Sequence, residues 1–539
     1  MTSKRNMRLT LAAMTLASSM ILVDQTAVPL ATPDAIVGLD GSISESQWLL
    51  TANILPLAAL MVFGGRMGDL FGMRRVFLAG AGIFAMSTAA MGVAQDMPWA
   101  IAARALQGSG AALMMPTALA IVSAVYPQEK KGAALGILAG AAAFFAALGP
   151  VLGGLLTSID WRLVFLVNVP LALTTIYLTV HHTPDLKPDP DASRDLDLPG
   201  VFTFAVSVGS LVFGLSQGPE QGWSDPATLV PLVVGVLLVP VFVLIENRAD
   251  NPMINFGLLR RINFLASNVS QFLAGMIELG LGFLTPFFLL LVVGISPATA
   301  GVALIPATIP IILAGPLSGK AFDRFGGRWP LTFGFLLLAL SGVLLAMEVH
   351  ERSAVALIPG LLLQGFGLGI VLTVNDPTGL TAVPEKDSGE AAGMINTSEQ
   401  LGGAVGIAVL SAIELGVLKQ EMTRRLVDHG INATQHQVDR FREFILGAEQ
   451  TGLNQAEKSD FVNAVLGLST ASHVDAFEVV FLVSAGIALV GAISSLVMVG
   501  KPDQALRIRV FGRRSRWIAA GQGRSPAITR RPPPSTPSG

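Results

Sequence analysis

The sequence predicts an all-α polytopic membrane protein with fourteen transmembrane helices, and three observations support this prediction. Of 539 residues, 52% are hydrophobic and only 13% are charged, whereas an average soluble domain has roughly 25% charged residues. The mean hydropathy of the chain is +0.63. Fourteen stretches reach the ~20 apolar residues that a helix needs to cross a hydrocarbon core about 30 Å thick.

The predicted spans follow one another along almost the whole chain. They cover approximately residues 9–31, 48–66, 74–94, 99–125, 132–157, 161–181, 198–217, 227–246, 263–293, 297–319, 329–348, 354–376, 389–416 and 475–499. The first span follows three basic residues, as a signal peptide does, but it is too long for one and contains Asp24. We therefore expect it to remain in the protein.

The basic residues predict the orientation of the spans. Short loops that are rich in Lys and Arg stay on the cytoplasmic side, and Arg74, Arg75, Lys130 and Lys131 lie in such loops. The pattern predicts a multi-pass protein of the plasma (inner) membrane with both termini in the cytoplasm.

Three segments outside the spans have distinct compositions. Residues 182–197 are rich in Pro and Asp and are typical of a solvated linker. Residues 417–474 form a long extracytoplasmic loop, in which apolar spacing predicts two short amphipathic helices packed as a cap. Residues 501–539 change from basic to Pro-rich, which predicts a disordered cytoplasmic tail whose basic part touches anionic lipid.

The composition also argues against several functional classes. The chain has no cysteine, so disulfides, thiolate nucleophiles and thiol-ligated metals are excluded. Its net charge of −2 gives no general attraction for nucleic acid. No phosphate-binding loop of an ATP-driven pump occurs, and the six histidines lie at span ends or in the long loop. We expect neither a cofactor nor a metal nor an enzymatic activity. We expect the lipid bilayer to surround the chain and the protein to be a monomer.

An internal repeat divides the chain into two halves. A loop pattern of Gly, Asp, Gly and Arg occurs twice with the same internal spacing, at a separation of 254 residues: Gly65, Asp69, Gly72 and Arg74, followed by Arg75, and Gly319, Asp323, Gly326 and Arg328. A second pair, Gln107-Gly108 and Gln364-Gly365, lies 257 residues apart. Spans one to six therefore repeat as spans nine to fourteen, and both loop patterns are predicted to be gating loops at the cytoplasmic ends of the helices.

The repeat defines the expected domain organisation. Residues 1–8 form a cytoplasmic N-terminus, residues 9–181 the N-terminal six-helix half, and residues 263–500 the C-terminal six-helix half. Residues 182–262 contain the linker and two inserted central helices, and residues 501–539 form the tail.

Four charged residues inside the predicted spans are candidates for proton coupling or substrate binding. They are Asp24, Arg104, Glu278 and Glu399. Asp24 and Glu278 are 254 residues apart, which is the repeat spacing. A charge inside a span costs about 2.5–3.5 kcal/mol on insertion scales, and a carboxyl group in a poorly hydrated cavity can hold either a proton or a cationic substrate. Because the proton and the cationic substrate exclude each other, their fluxes across the membrane would be coupled.

Structural roles remain open for these residues. Asp24 and Arg104 lie at similar depths, so they can also form a structural ion pair. Glu399 shares a helical stripe with Gly402, Gly403 and Gly406, so it can also make a hydrogen bond at a helix interface.

Five motifs resemble the major facilitator superfamily and its 14-span drug:proton antiporters. They are the loop Gly65–Arg75, Arg104-Ala105-Leu106-Gln107-Gly108, Leu148-Gly149-Pro150-Val151-Leu152-Gly153-Gly154, Leu22-Val23-Asp24-Gln25-Thr26-Ala27-Val28-Pro29-Leu30 and Trp161–Pro170. The third of these is similar to the fifth-helix motif of exporters, with its key residues Gly149, Pro150, Gly153 and Gly154.

The resemblance implies a major facilitator fold of two six-helix halves plus two inserted helices. It implies proton-coupled export of hydrophobic or amphiphilic, cationic small molecules, driven by the proton gradient. Export of a lipid or of a specific secondary metabolite is the alternative within transport. A transport-inactive scaffold or sensor is the alternative of another class, although such a protein has no need of buried charge.

Overall fold

The computed structural model describes residues 4–41, 43–186, 197–249, 252, 254–295, 297–384, 387–428 and 460–500. Within these ranges the chain is almost entirely α-helical and contains no β-strand. The prediction of an all-α polytopic fold is confirmed.

Seven helices form the N-terminal half. They are α1 (Lys4–Gly38), α2 (Ile43–Phe71), α3 (Met73–Gly92), α4 (Met97–Val125), α5 (Gln128–Thr157), α6 (Leu163–Leu166) and α7 (Asn168–His182). The predicted sixth span is therefore divided into α6 and α7. Pro170 explains the division, because a proline has no backbone N–H and its ring clashes with the carbonyl group four residues earlier, that of Leu166.

Eight α-helices follow the inserted pair and form the C-terminal half. The inserted pair is α8 (Leu198–Gln221) and α9 (Pro226–Glu246). The C-terminal half contains α10 (Phe256–Leu259), α11 (Ile262–Leu291), α12 (Pro297–Ala303), α13 (Ile305–Phe325), α14 (Arg328–Glu348), α15 (Ile358–Leu380), α16 (Ser388–Asp428) and α17 (Asp460–Met498). The predicted tenth span is divided before Pro306, for the same reason as the sixth.

Thirteen helical segments of the described residues are long and apolar enough to cross a membrane. They correspond to thirteen of the fourteen predicted spans. The remaining one, α5, is a helix of 30 residues, and some of its side chains lie outside the described residues.

The predicted loop 417–474 is shorter in the structure. Helix α16 continues to Asp428 and α17 already begins at Asp460. The extension of α16 has a physical cause, because Leu418, Met422 and Leu426 recur every four residues and are all buried. Residues 429–459 lie outside the described residues, as do the first predicted cap helix, most of the linker 182–197 and the tail 501–539.

The inserted pair lies beside the junction of the two halves. Helices α8 and α9 pack closely together, with Ser207 Oγ donating to the Gly235 carbonyl oxygen at 2.8 Å. Val208 and Val212 of α8 pack in one apolar cluster with Ala58 of α2 and with Leu401 of α16. Helix α8 therefore contacts one helix of each half.

Candidate functional site

Asp24 of α1 and Arg104 of α4 form a buried ion pair. Arg104 Nη1 donates to Asp24 Oδ2 at 2.5 Å, and the two side chains are 2% and 1% exposed. The two residues, whose similar depth permits pairing, are paired in the structure. In this structure the acid of the first helix has its counter-charge within its own half.

A set of hydrogen bonds surrounds this pair. Gln107 Nε2 donates to Asp24 Oδ1 at 3.0 Å and to Thr88 Oγ1 at 2.9 Å, while Gln107 Oε1 accepts from Arg104 Nη1 at 2.6 Å. Arg104 Nε donates to the Leu49 carbonyl oxygen at 3.1 Å. Four helices, α1 to α4, thus contribute to a closed polar network, which is how a buried ion pair offsets its desolvation cost.

Glu278 and Glu399 come together in the C-terminal half. Helices α11 and α16 approach closely there, since a Cβ on Gly275 of α11 would meet the backbone of Glu399. Glu278 lies about one turn further along α11, and its charge interacts with that of Glu399. Both side chains are partly accessible. The fully buried atom Glu278 Oε2 has no hydrogen-bond partner among the described residues.

The glycine stripe that follows Glu399 packs against α11. Added Cβ atoms on Gly402 and Gly406 would overlap the backbone of Phe272 and Met276. Glu399 also accepts a hydrogen bond from Gln271 of α11 across this interface. Glu399 is thus both at a helix interface and beside a second carboxylate.

A third acid, which sequence reasoning missed, lies near Glu399. Asp376 of α15 is 9% exposed, and its carboxylate interacts electrostatically with that of Glu399. The neighbouring Asn375 donates through Nδ2 to Gln271 Oε1 at 2.5 Å and to the Ser267 carbonyl oxygen at 3.0 Å. Among the described residues, no basic side chain has a noticeable electrostatic interaction with any of the three carboxylates. We call Glu278, Asp376 and Glu399 the acidic cluster.

The repeated loops lie at one end of the helix bundle, here called the motif face (residues 65–75 and 319–328). Asp69 Oδ1 accepts from the backbone N–H of Gly389 at 2.9 Å, and Asp69 Oδ2 accepts from that of Glu390 at 2.7 Å. These donors belong to the first turn of α16, in the other half. A carboxylate suits this place, because the first N–H groups of a helix have no partner within the helix.

Further contacts strengthen this first latch. Arg66 of α2 pairs with Glu390 at 3.5 Å, and the backbone N–H of Asn255 donates to Glu390 Oε1 at 2.5 Å. Asn255 lies between α9 and α10, so the connection that follows the inserted pair also contacts the latch.

A second latch relates the other loop to the N-terminal half. Asp323 Oδ1 of α13 accepts from the backbone N–H of Gly132, the fifth residue of α5, at 3.2 Å. Glycine permits a close approach in both latches, because a Cβ on Gly65 or Gly319 would overlap the carbonyl oxygen of Gly389 or Gly132, respectively. The two halves are therefore in direct contact at the motif face.

The other residues of the loop motif have local roles. Gly72 and Gly326 adopt φ angles of 97° and 72°, which favour glycine at these turns. Arg74 Nη2 donates to the Val180 carbonyl oxygen of its own half at 2.5 Å. Arg75 is exposed, and the Arg328 guanidinium lies 5.6 Å from the Trp329 ring centre. Among the described residues, none of these three arginines bonds to either latch.

A family model described as the Major Facilitator Superfamily matches residues 13–407 of this chain. The chain belongs to the major facilitator superfamily. This is a family of transporters rather than of enzymes, and the chain is accordingly a multi-pass membrane transporter.

Relatives within the superfamily agree with the drug-exporter resemblance. The chain is 33% identical over 415 residues to the multidrug resistance protein Stp of Mycobacterium tuberculosis, covering 76% of each chain. It is 33% identical over 407 residues to the tetracenomycin C resistance and export protein of Streptomyces glaucescens, covering 75% of each. Among solved structures, the human organic anion transporter MFSD10 matches with a TM-score of 0.58 at 14% identity, over 91% of this chain and 99% of that one. This structural likeness confirms the major facilitator fold.

The exporter motif of α5 packs against α1. A Cβ on Gly149 or Gly153 would overlap atoms of Thr26 or Ala27, and Thr26 Oγ1 donates to the Ala146 carbonyl oxygen at 2.6 Å. Gly154 faces open space, and the side chain of Pro150 lies outside the described residues. Helix α5 continues through the motif from Gln128 to Thr157. The motif therefore lets α5 approach the helix that carries Asp24.

A possible metal-ligand group lies outside these sites. The ligand atoms of His350, Asp475 and Glu478 are within 4.8 Å of one another. All three groups already have partners, since His350 Nε2 lies 3.1 Å from Glu478 Oε2 and Arg425 Nη2 lies 2.5 Å from Asp475 Oδ2. We regard the group as a network of polar contacts.

Proposed function

We propose that this transporter is a proton-coupled exporter of hydrophobic or amphiphilic, cationic small molecules, and that it works by alternating access between its two halves. The relatives named for drug resistance and export support this proposal. The main supporting observation is that the buried acids of the two halves differ in whether a basic side chain balances their charge. Asp24 has Arg104 as its counter-charge, whereas no described basic group acts on Glu278 and Glu399.

The carboxylates that lack a counter-charge explain how the flux of protons can be coupled to the flux of substrate. Two ionised carboxylates in a poorly hydrated interior repel each other, so the site favours either a bound proton or a bound cation. A cationic substrate that binds displaces protons, and protons that bind release the substrate. One proton that crosses the membrane supplies about 2.3 kcal/mol per 100 mV of membrane potential.

The two latches supply the alternating step. In the structure both latches are formed, so the halves are held together at the motif face. Opening of that face requires Asp69 and Asp323 to separate from the N-terminal parts of α16 and α5. We infer that the motif face is cytoplasmic, in the plasma (inner) membrane with both termini inside, and that its opening admits substrate from the cell.

The absence of cysteine makes this orientation easy to test. Arg324→Cys places one thiol at the motif face, and Glu351→Cys places one at the opposite end of the C-terminal half, both at exposed positions. In intact cells a membrane-impermeant maleimide should label Glu351→Cys and not Arg324→Cys. The reverse pattern would overturn the proposed orientation.

Export of one specific secondary metabolite is a second candidate function. The resemblance to a protein named for tetracenomycin C resistance and export favours it. An array of unrelated cationic dyes and drugs separates the two candidates, because a specific exporter would transport few of them.

Transport in energised inverted vesicles tests the proposed function. A fluorescent lipophilic cation should accumulate in vesicles with the wild-type protein, and an uncoupler should abolish the accumulation. Glu278→Gln combined with Glu399→Gln should abolish it as well. Asp428→Asn, an exposed acid at the end of α16, is the matched control and should transport normally. Accumulation that an uncoupler leaves unchanged would contradict proton coupling.

A further inference from the structure

Asp376 lies within helix α15 and not at its end. Helix α15 continues to Leu380, so about one further turn of helix separates Asp376 from the end at the motif face. Its side chain is 9% exposed, its charge interacts with that of Glu399, and no described residue gives it a hydrogen bond. Placing a carboxylate with so little exposure and no described hydrogen bond in the interior is costly, and a role in proton transfer would account for this cost.

A relay of amide side chains connects this part of α15 to Glu399. Asn375 donates to Gln271 Oε1 at 2.5 Å, and Gln271 Nε2 donates to Glu399. Ser267 Oγ donates to the carbonyl oxygen of Asn375 at 3.0 Å, and Asn375 returns a bond to the Ser267 carbonyl oxygen at 3.0 Å. These bonds fix α11, α15 and α16 relative to one another, so the distance between Asp376 and Glu399 is set by the fold.

The three carboxylates of the acidic cluster lie at different distances from the motif face along the helix bundle. Asp376 lies about one turn from the motif-face end of its helix, Glu399 about three turns from the start of α16, and Glu278 more than four turns from the start of α11. All three helices have these ends at the motif face. The carboxylates thus form a series that begins close beneath the latches and ends deep in the bundle.

We propose that Asp376 is the carboxylate through which protons leave Glu399 towards the motif face. The proposal rests on the proton-coupled export proposed above. When the latches open, water reaches Asp376 first. The carboxyl proton of Glu399 passes through water to the carboxylate of Asp376 and then to bulk water, which leaves Glu399 ionised and able to bind a cation. Apart from the waters, only the carboxyl groups exchange protons, and the amides of Asn375 and Gln271 hold their positions.

The variant Asp376→Asn tests the exit of protons separately from the binding and transport of the cation. The amide keeps the volume of the side chain and cannot carry the proton as a carboxylate does. In reconstituted vesicles, proton-driven accumulation of a fluorescent lipophilic cation should fall at least tenfold. Exchange of labelled for unlabelled cation across the membrane, without a proton gradient, needs no net proton exit and should stay within twofold of the wild type.

Two further variants make the result decisive. Asp376→Glu retains a carboxyl group and should restore proton-driven accumulation, whereas the exposed control Asp428→Asn should behave as the wild type. Equal losses of accumulation and exchange in Asp376→Asn would make Asp376 structural and overturn the proposal, as would unchanged accumulation. If the wild type itself accumulates no cation under a proton gradient, the proposed function fails, and this result is distinct from a failure of Asp376 alone.

Discussion

Asp69 and Asp323 occupy equivalent positions of the repeat, and each accepts a hydrogen bond from a backbone N–H near the start of a helix in the opposite half. Their partners are equivalent too, because Gly389 and Gly132 are 257 residues apart, like the Gln-Gly pairs of α4 and α15. The two latches differ in strength, since Asp69 is 8% exposed and uses both carboxylate oxygens, whereas Asp323 is exposed. The first latch therefore contributes more to closure of the motif face.

Replacement of Asp69 by Asn should slow the transport cycle without changing substrate choice. The amide keeps one acceptor oxygen and loses the second, which costs about 1 kcal/mol and reduces the population of the closed motif face roughly fivefold. Initial rates of uncoupler-sensitive efflux should fall by a similar factor with an unchanged order of substrates. Asp323→Asn and Arg74→Ala should each have a smaller effect. Asp323 is exposed to solvent, and Arg74 bonds within its own half. A changed substrate spectrum at a normal rate would contradict this assignment.

The buried pair of Asp24 and Arg104 predicts a loss of stability on single substitution. Asp24→Asn leaves Arg104 as an uncompensated buried charge, which costs about 3–5 kcal/mol. The thermal transition of the purified protein should therefore fall, together with its yield. Asp24→Asn combined with Arg104→Gln removes both charges and should recover much of this loss. If Asp24→Asn retains full stability but loses proton-driven transport, Asp24 is a coupling residue.

Glu278→Gln should discriminate between substrates by charge. At 4 Å and an effective dielectric constant of ~20, a carboxylate and a cation interact by about 4 kcal/mol before desolvation. Transport of divalent cations should fall at least tenfold, that of monovalent cations less, and that of neutral substrates hardly at all. Competition of each class against one fluorescent cation at fixed pH measures the difference. Equal losses in all classes would instead indicate a general role in coupling.

Two glycines of α16 should respond in opposite ways to alanine. Gly406→Ala places a Cβ against the backbone of Met276, and overpacking of this kind costs about 1–3 kcal/mol. Gly416 on the same helix has no neighbour within 4 Å of an added Cβ, so Gly416→Ala should be neutral or stabilise the protein by up to about 1 kcal/mol. Thermal unfolding in detergent compares the two variants. Equal stability would show that α11 and α16 can separate without cost.

Much of the site follows from sequence because its signals are local or periodic. The spacing of 254 residues predicted the paired loops, and charges inside apolar spans predicted Asp24, Arg104, Glu278 and Glu399. Asp376 was missed for an equally local reason, since the predicted twelfth span ended at residue 376 and the acid appeared to lie at its edge. Gln271 and Asn375 carry no charge, so no signal distinguished them from other polar residues of the spans.

The sequence by itself determined that the chain spans the membrane repeatedly in two related halves, because apolar length and repeat spacing are properties of one segment at a time. Only the tertiary structure decided which side chains meet. The axial stagger and rotation of packed helices place Arg104 beside Asp24 and leave Glu278, Asp376 and Glu399 without a described counter-charge. Those contacts depend on how backbones approach at glycines such as Gly275 and Gly402, and such an approach involves two helices at once.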